Sequence, residues 1–302
     1  MPIKHSQEFE LYSYGESLAS QTARVGLAEK MIDYQQHRIG LESTGEHLQQ
    51  AYKAINPRSL VPTLVHRGEP IYDSVKILEY LDAWAPNQGA RLYPADNKHN
   101  AQVQALVREF ALDESIEIGD NLGTSVAGIS TQMLAYLLCK RPLWTVIWEY
   151  LTQHPSRERV PIFIMLRILG RPPRFKYRQF VRGVARGMVL VENALAHGEA
   201  FIAGEYSAAD VLLAQLFHRL EITAFHSVLQ SDQLPMIRAY WPRLQQRESY
   251  QAGIVNFEED EWRECKATLY GERDNPDVGH FWAEVARLRH EQTRLNQREN
   301  NP

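Results

Sequence analysis

The apolar period of this chain changes once, near residue 85, and that change limits the folds open to it. Before it, strand-like and helix-like stretches take turns; beyond about residue 95 only the helical spacing recurs. Leu11-Tyr12-Ser13-Tyr14 closes an alternating run. From Ala19 onward Ala23, Leu27 and Met31 follow at helical spacing. Tyr34 to Leu41 reads as a second strand, and residues 44–54 as a helix that stops before Asn56-Pro57. Thr63-Leu64-Val65-His66, a turn at Arg67-Gly68-Glu69-Pro70, and Ile71-Tyr72 make a hairpin. Asp73-Ser74 then begins a helix with Val75, Ile77, Leu78 and Leu81 on its apolar side. The order β-α-β-α-β-β-α calls for a small mixed sheet covered by helices.

Trp84 to Asp96 (WAPNQGARLYPAD), with two prolines and a glycine, is the linker. After it Phe180, Val184, Met188, Val191 and Leu195 mark one long helix. "YSAADV" at 206–211 starts another: Ser207 caps it, Asp210 closes the capping box, and Tyr206 with Val211 forms a staple. Asp210 is therefore read as structural. The division expected is 1–85, 95–256 and a C-terminal extension, 257–302.

With 302 residues the chain has room for two domains. Cys139 and Cys265 stand far apart without a CxxC or Cys/His pattern, so neither a disulfide framework nor a metal site is expected, and a reducing compartment fits. The first ten residues lack an apolar core, and the apolar runs are short for a bilayer span, so a cytoplasmic protein is expected. Residues 140–186 carry eleven Lys or Arg against two acids, while the whole chain carries a net −4. Trp144, Trp148, Phe163, Phe175, Tyr177 and Phe180 interleave these charges. The expected reading is a solvated helical face over core aromatics, without nucleic-acid or membrane binding.

Between the first strand and the first helix lie Gly15, Ser17 and Ser20. A helix start offers unpaired N–H groups and a partial positive charge, which suits an anion. Either serine can also serve simply as the N-cap. Arg24, about a turn into the helix, either adds positive field or lies on the surface.

"INPRSLVPTLVHRGEPIYDSVKILEYLD", residues 55–82, resembles the glutathione-binding half of glutathione transferases, and "FIAGEYSAADV", residues 201–211, resembles the second signature of that family. The resemblance implies a thioredoxin-like domain followed by an all-α domain, α/β plus all-α in class. The turn after Leu-Tyr-Ser-Tyr is similar to that of serine-type, zeta-class enzymes. Ser17 then stands at the serine credited with activating the thiol, and Ser20 at the last serine of the motif. The stretch is similar also to bacterial β-aryl-etherases, where the serine matching Ser20 is the candidate. Tetrachlorohydroquinone dehalogenases need a cysteine where Ala19 stands. "SxxSQxxR" and "HRLEITAF" resemble the ganglioside-induced differentiation-associated proteins, a branch poor in transferase activity.

The resemblance implies glutathione as co-substrate, no metal, and a homodimer. Pro62 is expected to be cis, presenting the backbone of Val61 to the cysteinyl part of glutathione. Asp73 and Ser74 are expected to hold the γ-glutamyl end, with Asp73 shorter than the family's Glu or Gln. Leu60 replaces a polar residue, and Lys53 or Arg58 is the candidate to meet the glycyl carboxylate. Substrate contacts are expected from Tyr14, Asn121 and Ser125. The activity implied is attack of bound thiolate on a small hydrophobic, aromatic electrophile, in detoxification or aromatic catabolism. Alternatives are β-aryl-ether cleavage or dehalogenation, and a non-catalytic glutathione- or ligand-binding interaction protein.

Overall fold

The computed structural model describes residues 3–113, 115–157 and 160–299. The N-terminal part runs β1 (Phe9–Ser13), α1 (Leu18–Glu29), β2 (Gln35–Arg38), α2 (Gln50–Lys53), β3 (Thr63–His66), β4 (Glu69–Tyr72) and α3 (Ser74–Trp84). The strands form one sheet in the order β2-β1-β3-β4, with β1 parallel to β2 and antiparallel to β3. Its core joins Phe9, Leu11 and Leu64 of the sheet to Ala23, Leu27, Ile77 and Leu81 of the covering helices.

Two local readings need correction. The helix expected over 44–54 is a single 3-10 turn, Glu46–Leu48, followed by the one turn of α2. Gly45 in the left-handed region (φ 76°) and extended Gln49 (ψ 149°) break the run. The hairpin turn is only Arg67-Gly68, both at positive φ (51° and 86°), so β4 already starts at Glu69. Pro70 is tolerated there because β4 is an edge strand.

The linker is held from inside. Lys30 and Asp82, both buried, pair at 3.0 Å, and Lys30 also donates to the Ala90 carbonyl. Asp82 accepts the N–H groups of Leu92 and Tyr93. A methyl at Gly89 would sit 1.8 Å from the Glu29 carbonyl oxygen, so the chain passes there only as glycine.

The rest is helical: α4 (Asn97–Phe110), α5 (Leu122–Ile129), α6 (Thr131–Cys139), α7 (Leu143–Thr152), α8 (Val160–Leu169), α9 (Arg174–Leu195), α10 (Ala208–Ile222), α11 (His226–Leu229), α12 (Pro235–Gln245), α13 (Glu248–Gly253), α14 (Asp260–Leu269) and α15 (Val278–Glu299). α9 buries Phe180, Val184, Met188, Val191 and Leu195, the stripe read from the sequence. α10 is buried almost throughout and opens with the Ser207–Asp210 capping box. One apolar window, Leu122–Cys139, is long enough by composition to cross a bilayer, but 67% of it is buried inside the protein. The last helices are not a loose appendage. Trp262 and Cys265 of α14 pack with Tyr14, Met133 and Ile222, and α15 contributes Phe281 and Val285 to the main core.

The expectation of core aromatics in the basic stretch holds for Tyr177 and Phe180 and fails for three others. Trp144, Trp148 and Phe175 are 78%, 66% and 69% exposed. Tyr150 takes the buried place on α7 instead, packed on Phe163 with ring centroids 4.8 Å apart.

Candidate active site

Strand register gathers the candidate residues. Tyr12 of β1 is opposite Thr63 of β3, and Thr63 is opposite Tyr72 of β4. The turn after β1, the approach to β3 and the exit from β4 therefore lie at one end of the sheet. Neighbouring strands are about 4.8 Å apart, so the three segments fall within roughly 10 Å. They carry Ser17, Val61-Pro62 and Asp73-Ser74.

Ser17 is the N-cap of α1. Its backbone is extended (φ −72°, ψ 121°), and its Oγ accepts the Ser20 N–H at 3.3 Å. Of the two serines open to the capping task Ser17 takes it, because the helix already starts at Leu18 and Ser20 lies inside it. Ser20 is wholly buried, and its Oγ accepts the Tyr14 N–H at 3.3 Å. The Ser17 side chain is partly exposed and keeps its hydroxyl proton for another acceptor.

The Val61–Pro62 peptide is cis. Among the described residues neither the N–H nor the carbonyl of Val61 has a hydrogen-bond partner. The loop before it is shaped by Asn56, whose amide donates to the Leu60 carbonyl (2.8 Å) and Thr63 Oγ1 (2.9 Å), and by the Tyr52 hydroxyl, which donates to Leu60 (2.6 Å).

Asp73 caps α3 at positive φ (73°), its Oδ1 accepting from Val75 N–H at 2.9 Å and Lys76 N–H at 3.4 Å. Ser74 is the first helical residue and is buried. The N–H at that position is one a helix leaves unpaired, beside the positive end of its dipole.

The turn between β1 and α1 is clamped from three directions. Buried Arg24 donates to the carbonyls of Gly253 (2.7 Å), Tyr14 (3.2 Å) and Gly15 (2.6 Å) and to Ser13 Oγ (3.0 Å). Burial lowers its pKa to about 10, which leaves it charged at neutral pH. So Arg24 is neither of the two expectations alone: it is a buried cation that builds the turn. Arg219 of α10, equally buried, donates to the Glu16 carbonyl, lies 3.4 Å from the Glu16 carboxylate and sits over the Trp262 ring. Burial raises the Glu16 pKa, and Arg219 opposes that shift. From the C-terminal extension, Glu259 accepts the Gly15 N–H at 3.3 Å and pairs with Arg38 at 3.0 Å. A methyl at Gly15 would lie 2.1 Å from the Phe257 carbonyl oxygen.

Tyr14 is closed off by the same extension. Its hydroxyl donates to Glu261 and accepts from Trp262 Nε1 at 3.0 Å. Burial, with Glu261 adding to it, pushes the phenol far above its ordinary pKa. Asn121 is the buried N-cap of α5, its amide donating to the Arg108 and Ala111 carbonyls at 2.8 and 3.0 Å. Ser125 is wholly buried, with a methyl at Gly183 of α9 placed only 2.1 Å from its Oγ. All three side chains are thus engaged in packing or capping. Lys53 donates to the Gln153 carbonyl, tying α2 to the helical part, while Arg58 is exposed.

Sequence reasoning missed Glu259, Glu261, Trp262 and Arg219. Their partners lie more than 200 residues away, and short-range pattern carries no signal for such contacts.

Residues 16–84 match the family described as Glutathione S-transferase, N-terminal domain. A maleylacetoacetate isomerase of Pseudomonas aeruginosa is 35% identical over 127 residues, 35% of this chain and 58% of that protein. The chain thus spans only a little over half the length of that relative. The Arabidopsis thaliana protein "Glutathione S-transferase TCHQD" is 25% identical over 251 residues, 82% of this chain and 90% of that one. The crystal structure of the beta-etherase LigF from Sphingobium sp. strain SYK-6 superposes with a TM-score of 0.73 at 22% identity, covering 82% of this chain and 98% of that chain. Residues 16–84 are a glutathione S-transferase N-terminal domain, carried on a chain that has the glutathione S-transferase fold from the first strand into the helical part.

Proposed function

We propose that the chain binds glutathione at this sheet end and uses its thiolate against a small hydrophobic, aromatic electrophile. The observation that supports this reading is the register that brings the segments carrying Ser17, Val61 and Asp73-Ser74 to one end of the sheet. Val61 offers an unpaired backbone to an extended tripeptide, as an added strand would use it. Ser74 at the helix start suits a carboxylate. Asp73 Oδ1 is taken by capping bonds, so an ammonium would be met by Oδ2. Ser17 donates to the thiolate, and the buried charges of Arg24 and Arg219 beneath the turn favour the same anion. A thiol of pKa near 8.5 is only a few per cent ionised at pH 7; a shift of about two units makes the thiolate the main species. In the transfer step a carbon–sulfur bond forms and the bond to the leaving group breaks, the pair departing with that group. A homodimer is part of this proposal.

A second reading, glutathione-dependent cleavage of a β-aryl ether, is favoured by the near-complete structural overlap with the beta-etherase. A third, isomerisation of a cis double bond through a transient thiol adduct, is favoured by the 35% identity to a maleylacetoacetate isomerase over 127 residues. The three share the thiolate and differ in the fate of the carbon it attacks. The test is to supply glutathione with chlorodinitrobenzene, an aryl-ether dimer and a cis-enone diacid, and to identify products. A thioether that accumulates marks transfer, a released phenol marks ether cleavage, and a trans isomer with glutathione unconsumed marks isomerisation. No glutathione-dependent turnover of any would leave the non-catalytic binding protein standing.

A further inference from the structure

Thirteen large apolar side chains are exposed among the described residues, and seven of them fall between Trp144 and Phe175. Trp144, Trp148 and Leu151 stand at i, i+4 and i+7 on α7, so they line one outer stripe of that helix. Ile162, Ile168 and Leu169 are exposed on α8, and Phe175 at the start of α9. α7 and α8 pack together through Val146, Tyr150, Val160 and Leu166, which turns these other faces outward. Soluble proteins rarely leave such a concentration of apolar surface without using it.

Among the described residues from Leu143 to Lys176 the charge left without an ion-pair partner has one sign. Arg157, Arg171, Arg174 and Lys176 are exposed, and among the described residues none of them has an ion-pair partner. From Leu143 to Lys176 the one acid that is described, Glu149, is tied to Arg141 at 2.6 Å. This decides between occupants. A second copy related by a two-fold axis would set the same cations against one another. A nucleic acid would meet the cations and could stack on the tryptophans, but it offers nothing to Ile162, Ile168 and Leu169. A bilayer with anionic headgroups satisfies all three components. Tryptophan favours the headgroup level, aliphatic side chains enter the acyl boundary, and Arg and Lys meet the lipid charge.

We propose that the outer face of α7, α8 and the start of α9 docks on an anionic lipid bilayer, lying on the membrane rather than crossing it. The test uses the full chain with large unilamellar vesicles of phosphatidylcholine alone or containing phosphatidylglycerol. At physiological salt the protein is expected to sediment with the anionic vesicles and at least about tenfold less with the neutral ones. Trp144→Ser with Trp148→Ser, and separately Arg171→Glu with Arg174→Glu and Lys176→Glu, are each expected to cut binding about tenfold or more with thermal unfolding unchanged. Absence of sedimentation with anionic vesicles overturns the proposal, as does binding indifferent to both variants. Retention on RNA or heparin without vesicle binding overturns it and assigns the face to nucleic acid. A dimer that the tryptophan variant converts to monomer, without vesicle binding, overturns it and assigns the face to a second copy.

Discussion

Replacing Ser17 by alanine removes one hydroxyl that serves two bonds. The first is the N-cap of α1, where Oγ accepts the Ser20 N–H at 3.3 Å. Its loss costs about 1 kcal/mol of stability. The second is the bond proposed to the thiolate of glutathione. A hydrogen bond to a charged group is worth about 1.5–3 kcal/mol, and one pKa unit corresponds to about 1.4 kcal/mol. The bound thiol should therefore rise by about one to two units, from near 6.5 to about 7.5–8.5. At pH 7 the thiolate fraction then falls from about three quarters to between a quarter and a few per cent, so turnover drops about three- to thirtyfold. Near pH 9 the thiol ionises unaided and the variant approaches the parent. Ser17→Thr keeps the hydroxyl and should restore the profile. Ser20→Ala strands the Tyr14 N–H inside the protein and should cost about 1–3 kcal/mol of stability without moving the profile. The assay is a pH–rate profile of chlorodinitrobenzene conjugation at saturating glutathione, or thiolate absorbance of the bound tripeptide. A shifted profile in the Ser20 variant together with an unshifted one in the Ser17 variant would refute the reasoning.

Breaking the linker pair with Asp82→Ala leaves the buried Lys30 ammonium uncompensated and frees the N–H groups of Leu92 and Tyr93; urea unfolding should show a loss of about 3–5 kcal/mol. Gly15→Ala forces the turn away from the Phe257 carbonyl; a stability loss of about 1–3 kcal/mol is expected, with increased proteolysis after residue 257, and an unchanged protease pattern would count against the extension acting as a clamp. Burial lowers the pKa of His47 to about 4 and of His218 to about 3, below the ordinary 6.5. The unfolded chain then binds more protons between those values and 6.5, so stability is full above pH 6.5 and is lost as pH falls. Each histidine contributes up to about 1.4 kcal/mol per pH unit, and unfolding at pH 7, 6 and 5 should show the decline before most carboxylates titrate. A flat profile over that range would mean that these rings are hydrated.

The alternation of β1, α1 and the β3–β4 hairpin is legible in the sequence because each element obeys its own period within ten or so residues. So is the Ser207–Asp210 box, whose partners are three positions apart. The neighbourhood of Ser17, Val61 and Asp73-Ser74 is legible only through resemblance, since register across three strands is a long-range property. Ser17 and Ser20 cannot be ranked from sequence, because a small shift of the helix start exchanges their tasks. Arg24 looks like a surface residue in any window; its burial comes from Gly253 and Phe257, in the last part of the chain. The outward tryptophans escape a sequence reading for a related reason. α7 has apolar residues on both faces, and only the packing of Tyr150 against Phe163 decides which face is inner.

The central claim is that the sheet end carrying Ser17, Val61 and Ser74 is a glutathione site. Titration calorimetry of the intact chain with glutathione tests it most directly, with Ser74→Ala measured alongside. Saturable heat with one tripeptide per chain is expected, with an affinity lower by about 1–3 kcal/mol in the variant, roughly five- to 150-fold. No heat of binding at millimolar glutathione, or an affinity unmoved by Ser74→Ala in a folded protein, would contradict it.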